Sequence, residues 1–389
     1  MIADSNVKQR PIYFDYHATT PMDSRVAKRM LYYMTEAFGN ASSTDHPFGD
    51  EAEAAVTVAS RQVATLLGTS PRNVIFTSGA TESINLALQG HCAAAERKQR
   101  IALSPLEHKA VLDTCLALEK QGKAELYWLR VDRLGRIDLA HVKEFCRSGA
   151  DVLCIMAANN EIGNIYLVQK IAEIAAVYGT AFLCDATQAV GKIPIKFDDW
   201  NITYLALSAH KIYGPKGCGA LIIQPGAHLS PLIYGGGHQK GLRSGTLNIP
   251  GIVGLGEACR LRSEEMESDE KVIRAKRDQL LRLLQAEIPS LILNGDPEAR
   301  LAGNLHISVP SIPNSVIIAH IRHKLAISTG SACSSGIEAP SHVLKAIHLD
   351  DACIEGALRI SIGKFTTDEE ITEGAKIVTD AIAAISKSM

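Results

Sequence analysis

The sequence predicts an α/β fold, with a mainly parallel sheet flanked by helices in a first, larger domain and a smaller α/β domain after it. Between about residues 50 and 230, short apolar or β-branched runs alternate with longer amphipathic stretches. This alternation is typical of parallel strands that are covered by helices on both faces. A glycine-rich stretch at 235–241 then gives way to a long charged helix. This change of pattern marks the passage into the second domain.

The strands of the first region are predicted from short apolar runs that end in polar or small residues. These runs lie at 73–77, 100–104, 152–157, 181–185, 204–208 and 219–223. The segments 51–68 and 168–178 carry alanines, leucines and charges in a pattern that suits amphipathic helices.

The second region begins with a predicted helix at 268–288, which places Ile273, Leu280 and Leu284 on one face. A final helix is predicted at 367–385, where Thr367 and Glu370 have the spacing of a capping box. Shorter segments lie between the two, at 304–309, 316–323, 325–328, 342–346 and 357–362. Their order indicates a small α/β unit.

The composition excludes several classes of protein. The 389 residues carry 40 Lys plus Arg against 42 Asp plus Glu, a formal net charge of −2, so no large positive field is present to hold nucleic acid or an anionic membrane. Residues 1–10 are polar, unlike a signal peptide, and no stretch is apolar over the roughly 18 residues of a membrane span. Nine cysteines without a secretory signal indicate free thiols in a reducing, cytoplasmic setting.

The ends of the predicted strands hold most of the reactive side chains of the first region. In open α/β sheets, ligands bind beyond the carboxyl ends of the strands. The residues at these ends are 77–81 (Thr-Ser-Gly-Ala-Thr), Glu107 and His108, Asn159 and Asn160, Asp185, and 208–211 (Ser-Ala-His-Lys). We therefore expect the active site at this edge of the sheet.

Lys211 and Asp185 are candidates for holding a cofactor. A lysine amine forms a Schiff base with an aldehyde cofactor when its surroundings lower its pKa, although most lysines lie solvated on the surface. Asp185 ends an apolar strand, where a buried carboxylate needs a cationic partner such as a protonated pyridine nitrogen. Taken alone, Asp185 is an ordinary N-cap or turn residue.

Two histidines, a turn and an arginine are further candidates. His108 and His210 each follow a strand and stand beside another ionisable residue, as a general acid–base group does. Residues 78–81 form a small-residue turn before a helix, where free backbone N–H groups bind phosphate. Arg359 lies in an apolar segment and needs a carboxylate, which either a substrate or a structural Asp or Glu supplies. Neither a Walker A motif nor G-x-G-x-x-G occurs, which counts against a nucleotide-hydrolysing or dinucleotide enzyme.

The segment 328–336 is unusual because every side chain in it is small and its two glycines have none. Such a run cannot anchor itself by packing, so we expect a mobile surface loop in which Cys333 is accessible. Thiolate chemistry needs this access, but a small-residue turn with an incidental cysteine is an equally good interpretation of the sequence. The other eight cysteines are expected to be buried thiols, and without a Cys-x-x-Cys no cysteine-based zinc site is predicted.

Taken together, these positions resemble the cysteine desulfurases, pyridoxal-phosphate enzymes of aminotransferase-like fold that convert L-cysteine to L-alanine and a protein-bound persulfide. Each motif alone is weak, whereas their joint presence in this order is specific. The motifs are FDYHATTP at 14–21, FTSGATES at 76–83, EHKAV at 107–111, NNEIG at 159–163, DATQ at 185–188, SAHKIYGPKG at 208–217, RSGT at 243–246, the Cys333 loop and RIS at 359–361. The Ser-Gly-Ser-Ala-Cys loop resembles the branch of the family with the longer, mobile loop.

The resemblance implies how pyridoxal 5'-phosphate would be held. Lys211 would hold it covalently, Asp185 would pair with its ring nitrogen, and His108 would stack on the ring and shuttle protons. Gln188 would hydrogen-bond the phenolic oxygen of the ring. The phosphate would be enclosed by Ala80, Thr81, Ser208 and His210.

The resemblance also implies how the substrate would be bound and where its sulfur would go. Asn160 and Arg359 would fix the carboxylate of L-cysteine, and Cys333 would attack its sulfur. Because that sulfur must then reach an acceptor protein, a mobile carrier loop is a mechanical requirement. Thr246 would reach the phosphate bound by the neighbouring subunit, which implies a homodimer with shared sites.

In the architecture that the resemblance implies, residues 20–262 form the large cofactor-binding domain around a mainly parallel seven-stranded sheet. Residues 1–19 and 263–389 form the small domain that carries the Cys333 loop. The sulfur would serve iron–sulfur cluster assembly, tRNA thiolation or DNA phosphorothioation. The chain ends soon after Phe365, apparently without the tail that housekeeping members use to dock an iron–sulfur scaffold, which makes phosphorothioation an attractive minority choice.

Two alternatives stay open at this point. A related pyridoxal-phosphate lyase or aminotransferase would act on another amino acid, with no covalent part for Cys333. A non-catalytic sulfur-transfer scaffold would keep the fold without turnover, although the set Lys211, Asp185 and His108 counts against it.

Overall fold

The computed structural model describes residues 10–310, 312–329 and 340–388. The chain divides into two compact units. The larger unit comprises 20–159 and 164–267, and the smaller unit comprises the described residues of 1–19, 160–163 and 268–389. Among the described helices, none is both long and apolar enough to cross a bilayer.

Helices and strands alternate through most of the chain. The helices are α1 (Ser24–Thr35), α2 (Pro47–Leu67), α3 (Ala80–Ala94), α4 (Lys109–Lys120), α5 (Leu139–Arg147), α6 (Val168–Val177), α7 (Ile249–Glu287), α8 (Asn314–Ile321), α9 (His342–Ala346), α10 (Asp351–Glu355) and α11 (Asp368–Ser388). The strands are β1 (Ile12–Tyr13), β2 (Val74–Thr77), β3 (Gln99–Leu103), β4 (Ala124–Trp128), β5 (Val152–Cys154), β6 (Ala181–Asp185), β7 (Tyr204–Ser208), β8 (Gly219–Ile223), β9 (Ile292–Leu293), β10 (Asn304–Ser308), β11 (Leu325–Ala326) and β12 (Ala357–Ser361).

The larger unit is built on a seven-stranded sheet within the described residues, in the order β2-β8-β7-β6-β5-β3-β4. Only β8 runs antiparallel to its neighbours in this sheet. Every residue of β7 and β8 is buried, as strands are when helices cover both faces of the sheet. The predicted mainly parallel seven-stranded sheet flanked by helices is confirmed.

One face of this sheet packs against α3 and α4. Ile84 and Leu88 of α3 and Val111 and Leu118 of α4 form one buried cluster with side chains of the sheet strands, among them Ile101. Burying each such aliphatic side chain stabilises the fold by about 1.5–3 kcal/mol before the entropy of ordering is counted. The cluster lies beside the strands whose carboxyl ends carry the candidate residues, so these ends have a rigid support.

The smaller unit contains an antiparallel sheet, β12-β10-β9, and a two-stranded parallel pair, β1-β11. Its core joins Phe14, Ile307 and Leu358 to apolar residues of α11 such as Ile371 and Val378. The predicted capping box is present, since Thr367 N–H donates to Glu370 Oε2 at 2.9 Å and Glu370 N–H donates to Thr367 Oγ1 at 3.2 Å.

The long helix begins earlier than the sequence pattern predicts. We expected it at 268–288, whereas α7 spans Ile249–Glu287. Three glycines near its start, Gly251, Gly254 and Gly256, hid the helix, and packing explains two of them: a Cβ at Gly254 would lie 2.7 Å from Met30 Sδ, and one at Gly256 would lie 2.7 Å from the Ala59 Cα. These positions need glycine because α7 approaches its neighbours too closely for a side chain.

Candidate active site

Several candidate side chains of the larger unit lie at one edge of its sheet. Thr77 and Ser208, the last residues of β2 and β7, both pair with Gly219, and Asp185 at the end of β6 pairs with Ala206. The register therefore places Asp185 two residues from Ser208 along the neighbouring strands. This edge is the one predicted from the sequence.

The N-terminus of α3 forms the first wall of this edge. Gly79 caps α3 and has no side chain to satisfy the first N–H groups of the helix, which belong to Ala80, Thr81 and their neighbours. A Cβ on Gly79 would lie 3.5 Å from Ser208 Oγ, so this hydroxyl lies next to the start of the helix. Free N–H groups and a hydroxyl together suit a phosphate.

Gly219 makes this close approach possible. A Cβ at position 219 would lie 2.6 Å from the Gly79 Cα and 2.5 Å from the Leu207 carbonyl oxygen. With any other residue at the start of β8, the turn before α3 and the end of β7 would have to move apart. The role of Gly219 was not predicted, because its only signal in the sequence is a glycine at the start of a strand.

An ion pair at the first turn of α3 was also missed. Arg243 Nε donates to Glu82 Oε1 at 2.8 Å, and Ser78 N–H donates to Glu82 Oε2 at 2.8 Å. Burial raises the pKa of Glu82, but the hydrogen bonds from Arg243 and Ser78 outweigh it and hold the pKa below its ordinary value. Glu82 thus fixes both the turn before α3 and the segment that leads to Thr246.

Lys211 ends the short 3₁₀ turn Ala209–Lys211 that follows β7. Thr20 fixes this turn: its N–H and its hydroxyl each donate to the His210 carbonyl oxygen at 2.9 Å, and its hydroxyl accepts from Tyr213 N–H at 2.8 Å. Tyr213 has a φ of +66°, a left-handed conformation that costs free energy for a tyrosine and that these bonds maintain. The lysine is therefore held on a rigid support.

His210 is a neutral imidazole at neutral pH. Burial and the charges of Lys211, Lys216 and Lys192 lower its pKa to about 4. A ring that stays neutral among three cations still donates a hydrogen bond from one nitrogen, and the cations favour an anion nearby. Both properties suit a phosphate ligand.

Asp185 is 6% exposed, and its Oδ1 accepts from Thr187 N–H at 3.0 Å. No Lys, Arg or His of the described residues forms an ion pair with it. The hydroxyl of the adjacent Thr187 is buried and has no hydrogen-bond partner among the described residues. A buried carboxyl group without a cation in the protein fits a cationic ligand nitrogen.

Glu107 is a second buried acid close to Asp185, and the sequence analysis gave it no role. It is 1% exposed, and its Oε1 accepts from Met156 N–H at 2.8 Å. Burial raises the pKa of Glu107 well above its ordinary value; the Met156 hydrogen bond opposes this and the nearby Asp185 adds to it. The raised pKa weakens the tendency of Glu107 to carry a second negative charge beside Asp185.

His108 and Gln188 follow strands of the same sheet edge, and each has one side-chain atom in a hydrogen bond within the protein. His108 caps α4, its Nδ1 accepting from Ala110 N–H at 3.1 Å, so that the proton of the neutral ring lies on the exposed Nε2. Gln188 is 4% exposed, and its Oε1 accepts from Lys192 Nζ at 2.8 Å. The amide nitrogen of Gln188 is therefore the end that donates to a ligand oxygen.

Asn160 and Arg359 lie together in the smaller unit. Arg359 Nη1 donates to the Asn160 carbonyl oxygen at 3.1 Å, and Nη2 donates to Asp15 Oδ1 at 2.8 Å. Arg359 is 6% exposed, and its Nε is buried without a partner among the described residues. Because a buried N–H without an acceptor is costly, Nε fits a ligand carboxylate.

The chain matches the family model described as "Aminotransferase class-V" over residues 12–373. The "Cysteine desulfurase IscS" of Colwellia psychrerythraea strain 34H is 44% identical over 377 residues, which cover 96% of this chain and 93% of the relative. A solved NifS-like protein superposes with a TM-score of 0.90 at 35% identity, covering 96% of this chain and all of that one. The structure titled "SspA in complex with cysteine" has a TM-score of 0.81 at 34% identity, covering 92% of this chain and 100% of the other.

The chain is a cysteine desulfurase family member. The prediction of the family from its ordered motifs is confirmed, as is the prediction of a pyridoxal-phosphate-dependent enzyme. The residues of the larger unit fit this cofactor: the α3 N-terminus and Ser208 suit its phosphate, and Asp185 suits its pyridine nitrogen.

Two predicted site residues remain. Cys333 lies outside the described residues. Thr246 is described, and its side chain is exposed near the ion pair of Glu82 and Arg243. Its exposure leaves it available to another molecule.

Proposed function

We propose that this cysteine desulfurase binds L-cysteine by its carboxylate, releases L-alanine and receives the sulfur on Cys333. The observation that carries the proposal is the pair of buried, unmatched groups, the Asp185 carboxyl and Arg359 Nε. The Asp185 carboxyl suits a pyridinium nitrogen, and Arg359 Nε suits a substrate carboxylate.

The bound cofactor supplies a conjugated electron sink that weakens bonds around the substrate's Cα. Lys211 holds the cofactor by its Nζ, and Asp185 keeps the ring nitrogen protonated. His108 covers the ring and moves protons at Nε2, while Gln188 donates to the phenolic oxygen. The phosphate is bound by Ala80, Thr81, Ser208 and the neutral His210.

Cys333 is the proposed nucleophile. Its thiolate forms an S–S bond with the substrate sulfur as the substrate's Cβ–S bond breaks, and the electron pair of the broken bond stays on the carbon skeleton, which takes up protons to become alanine. Ser328, five residues earlier, exchanges two backbone hydrogen bonds with Arg359, of 2.7 and 3.2 Å. Five residues span at most about 17 Å, so the chain itself keeps Cys333 within reach of the carboxylate site.

A homodimer and a protein acceptor are part of the proposal. Besides the exposed Thr246, the neighbouring Tyr234 is 79% and Ile233 42% exposed, and apolar groups in such positions are often covered by a subunit. Iron–sulfur cluster assembly is the proposed acceptor pathway, with tRNA thiolation and DNA phosphorothioation as the alternatives. The eight described cysteines are unbridged and buried, which suits a reducing cytoplasm.

Product analysis tests the proposed function. The purified protein, loaded with pyridoxal phosphate and given L-cysteine and a thiol reductant, is expected to form alanine and sulfide in equal amounts. An aminotransferase would instead form a keto acid and require a second substrate, and a scaffold would form neither product. Either of these results would contradict the proposal.

A further inference from the structure

The short segment 160–163 is held by its carbonyl groups. Although its chain neighbours belong to the larger unit, the segment itself belongs to the smaller one. Each of its four carbonyl oxygens accepts a hydrogen bond from that unit. The donors are Arg359 Nη1 to Asn160 at 3.1 Å, Asn304 Nδ2 to Glu161 at 2.9 Å, Arg300 Nη1 to Ile162 at 2.9 Å and Leu301 N–H to Gly163 at 2.9 Å.

Asn304 is at the centre of this arrangement. It is fully buried, and while its Nδ2 donates to Glu161, its Oδ1 accepts from Arg300 Nη1 at 2.8 Å. Gly163, with a φ of +77°, packs directly on it, since a Cβ there would lie 2.3 Å from Asn304 Cγ. The segment and the Asn304 side chain thus fit each other in one arrangement.

Arg300 is a buried cation that is used to bind carbonyl groups. It is 1% exposed and forms no ion pair with a described carboxylate; Nε donates to the Asp296 carbonyl at 3.1 Å and Nη2 to the Asn294 carbonyl. Burial and the charge of Arg277 lower its pKa to about 10, so it remains charged at neutral pH. Burying a cation is costly, but a leucine at this position would leave the carbonyl oxygens of Ile162, Asn294 and Asp296 without this donor.

We infer that Arg300 and Asn304 are positioning residues for the substrate carboxylate. They fix the carbonyls of residues 161 and 162 and thereby set where Asn160 lies against Arg359. The inference rests on the proposed function, in which Asn160 and Arg359 bind that carboxylate. Loss of either positioning residue lets Asn160 shift, and a small shift at a charged binding site weakens binding more than it slows the chemistry.

The matched pair Asn304→Ala and Asn294→Ala provides the test. Asn294 is also buried, at 2% exposed, and donates two hydrogen bonds, to Ser308 Oγ at 2.8 Å and His306 Nδ1 at 3.0 Å, but its side chain forms no hydrogen bond with the described residues 160–163. In the loaded enzyme, we expect Asn304→Ala to raise the KM for L-cysteine about fivefold and to leave kcat within about twofold. Asn294→Ala is expected to lower the melting temperature similarly and leave KM unchanged.

A second variant and a second ligand complete the experiment. Arg300→Lys keeps the buried charge but loses the planar fork, and it should raise KM in the same way even if Asn304→Ala does not fold. With cysteine methyl ester, which lacks the anionic carboxylate, neither variant should differ from wild type. Equal changes of KM in Asn304→Ala and Asn294→Ala, or no change in Arg300→Lys, would overturn the inference. Arg359→Ala separates it from the proposed function, since an unchanged KM in that variant would contradict the carboxylate site itself.

Discussion

The two units hold their functional groups in different ways. In the larger unit, Asp185, Ser208 and Lys211 follow the ends of buried strands, and the sheet determines their positions. In the smaller unit, the segment 160–163 that contains Asn160 is held by hydrogen bonds that buried Arg300 and Asn304 donate to the carbonyl oxygens of Ile162 and Glu161. Positions at strand ends can be recognised from a pattern in the sequence, whereas positions held by hydrogen bonds to backbone carbonyls cannot. Under the proposed function, the comparison also separates two effects, cofactor chemistry in the larger unit and substrate binding in the smaller one.

Replacing the cofactor lysine should have the largest effect in the larger unit. Lys211→Ala is expected to lower kcat at least about a thousandfold, because the covalent link to the cofactor and a nearby amine are both lost. Lys196→Ala, at an exposed lysine that pairs with Asp199 at 3.8 Å, should retain full activity. Borohydride reduction and peptide mapping check the assignment; cofactor fixed to another lysine in the Lys211 variant would contradict it.

The charge of Asp185 should matter nearly as much. Asp185→Asn keeps the shape and the acceptor for Thr187 N–H but removes the charge opposite the pyridine nitrogen. We expect kcat to fall about a hundredfold, as when a buried charge-assisted hydrogen bond is lost, with little change in melting temperature. Asp198→Asn, which removes the charge of an exposed aspartate whose Oδ1 accepts from Thr69 Oγ1 at 2.7 Å, is the control. A fall that appears in KM alone would mean that Asp185 serves the substrate, and the division between the units would be wrong.

Acid should destabilise the smaller unit through His306. Burial and the charges of Arg300 and Arg359 lower the pKa of this histidine to about 3, against about 6.5 in an unfolded chain. Because the unfolded state then binds more protons, stability is lost as pH falls below about 6.5. The expected loss in the free energy of unfolding between pH 7 and pH 5 is about 2 kcal/mol.

His306→Gln tests this by denaturant unfolding at several pH values. The variant should lose that part of the pH dependence, whatever its stability at pH 7. His210 in the larger unit contributes in the same direction, since its pKa is lowered to about 4. An unfolding free energy that depends on pH equally in the variant and the wild type would exclude His306 as a source.

The elements that sequence predicted well are those that bury a regular apolar pattern. The strand β7 and the capping box of α11 belong to this group. The edge strand β4 was missed because two of its five residues, Glu125 and Trp128, are exposed and Glu125 interrupts its apolar pattern. The first part of α7 was missed because its glycines are required by close packing against neighbouring elements. A local sequence pattern contains no information about that packing.

The same reasoning applies to the site. Chemistry attached to strand ends could be proposed from residue type and position, as for Lys211 and Asp185. Roles that depend on a contact with a residue distant in sequence could not be predicted. Gly219 has its role because it packs on Gly79, and Arg300 because it donates to the carbonyl oxygen of Ile162. Because every residue has a backbone carbonyl, a hydrogen bond to that group places almost no constraint on the residue that accepts it. Such bonds therefore leave no sequence motif.

Sulfur mapping after one turnover tests the central claim most directly. The loaded enzyme is mixed with one equivalent of L-cysteine carrying labelled sulfur, trapped with an alkylating reagent and analysed by mass spectrometry of its peptides. The label is expected on Cys333 in the wild type and in Cys353→Ser, a control at a buried cysteine. It should be absent from Cys333→Ser, which should also form alanine poorly. Label on another cysteine, or undiminished alanine formation in Cys333→Ser, would contradict the account.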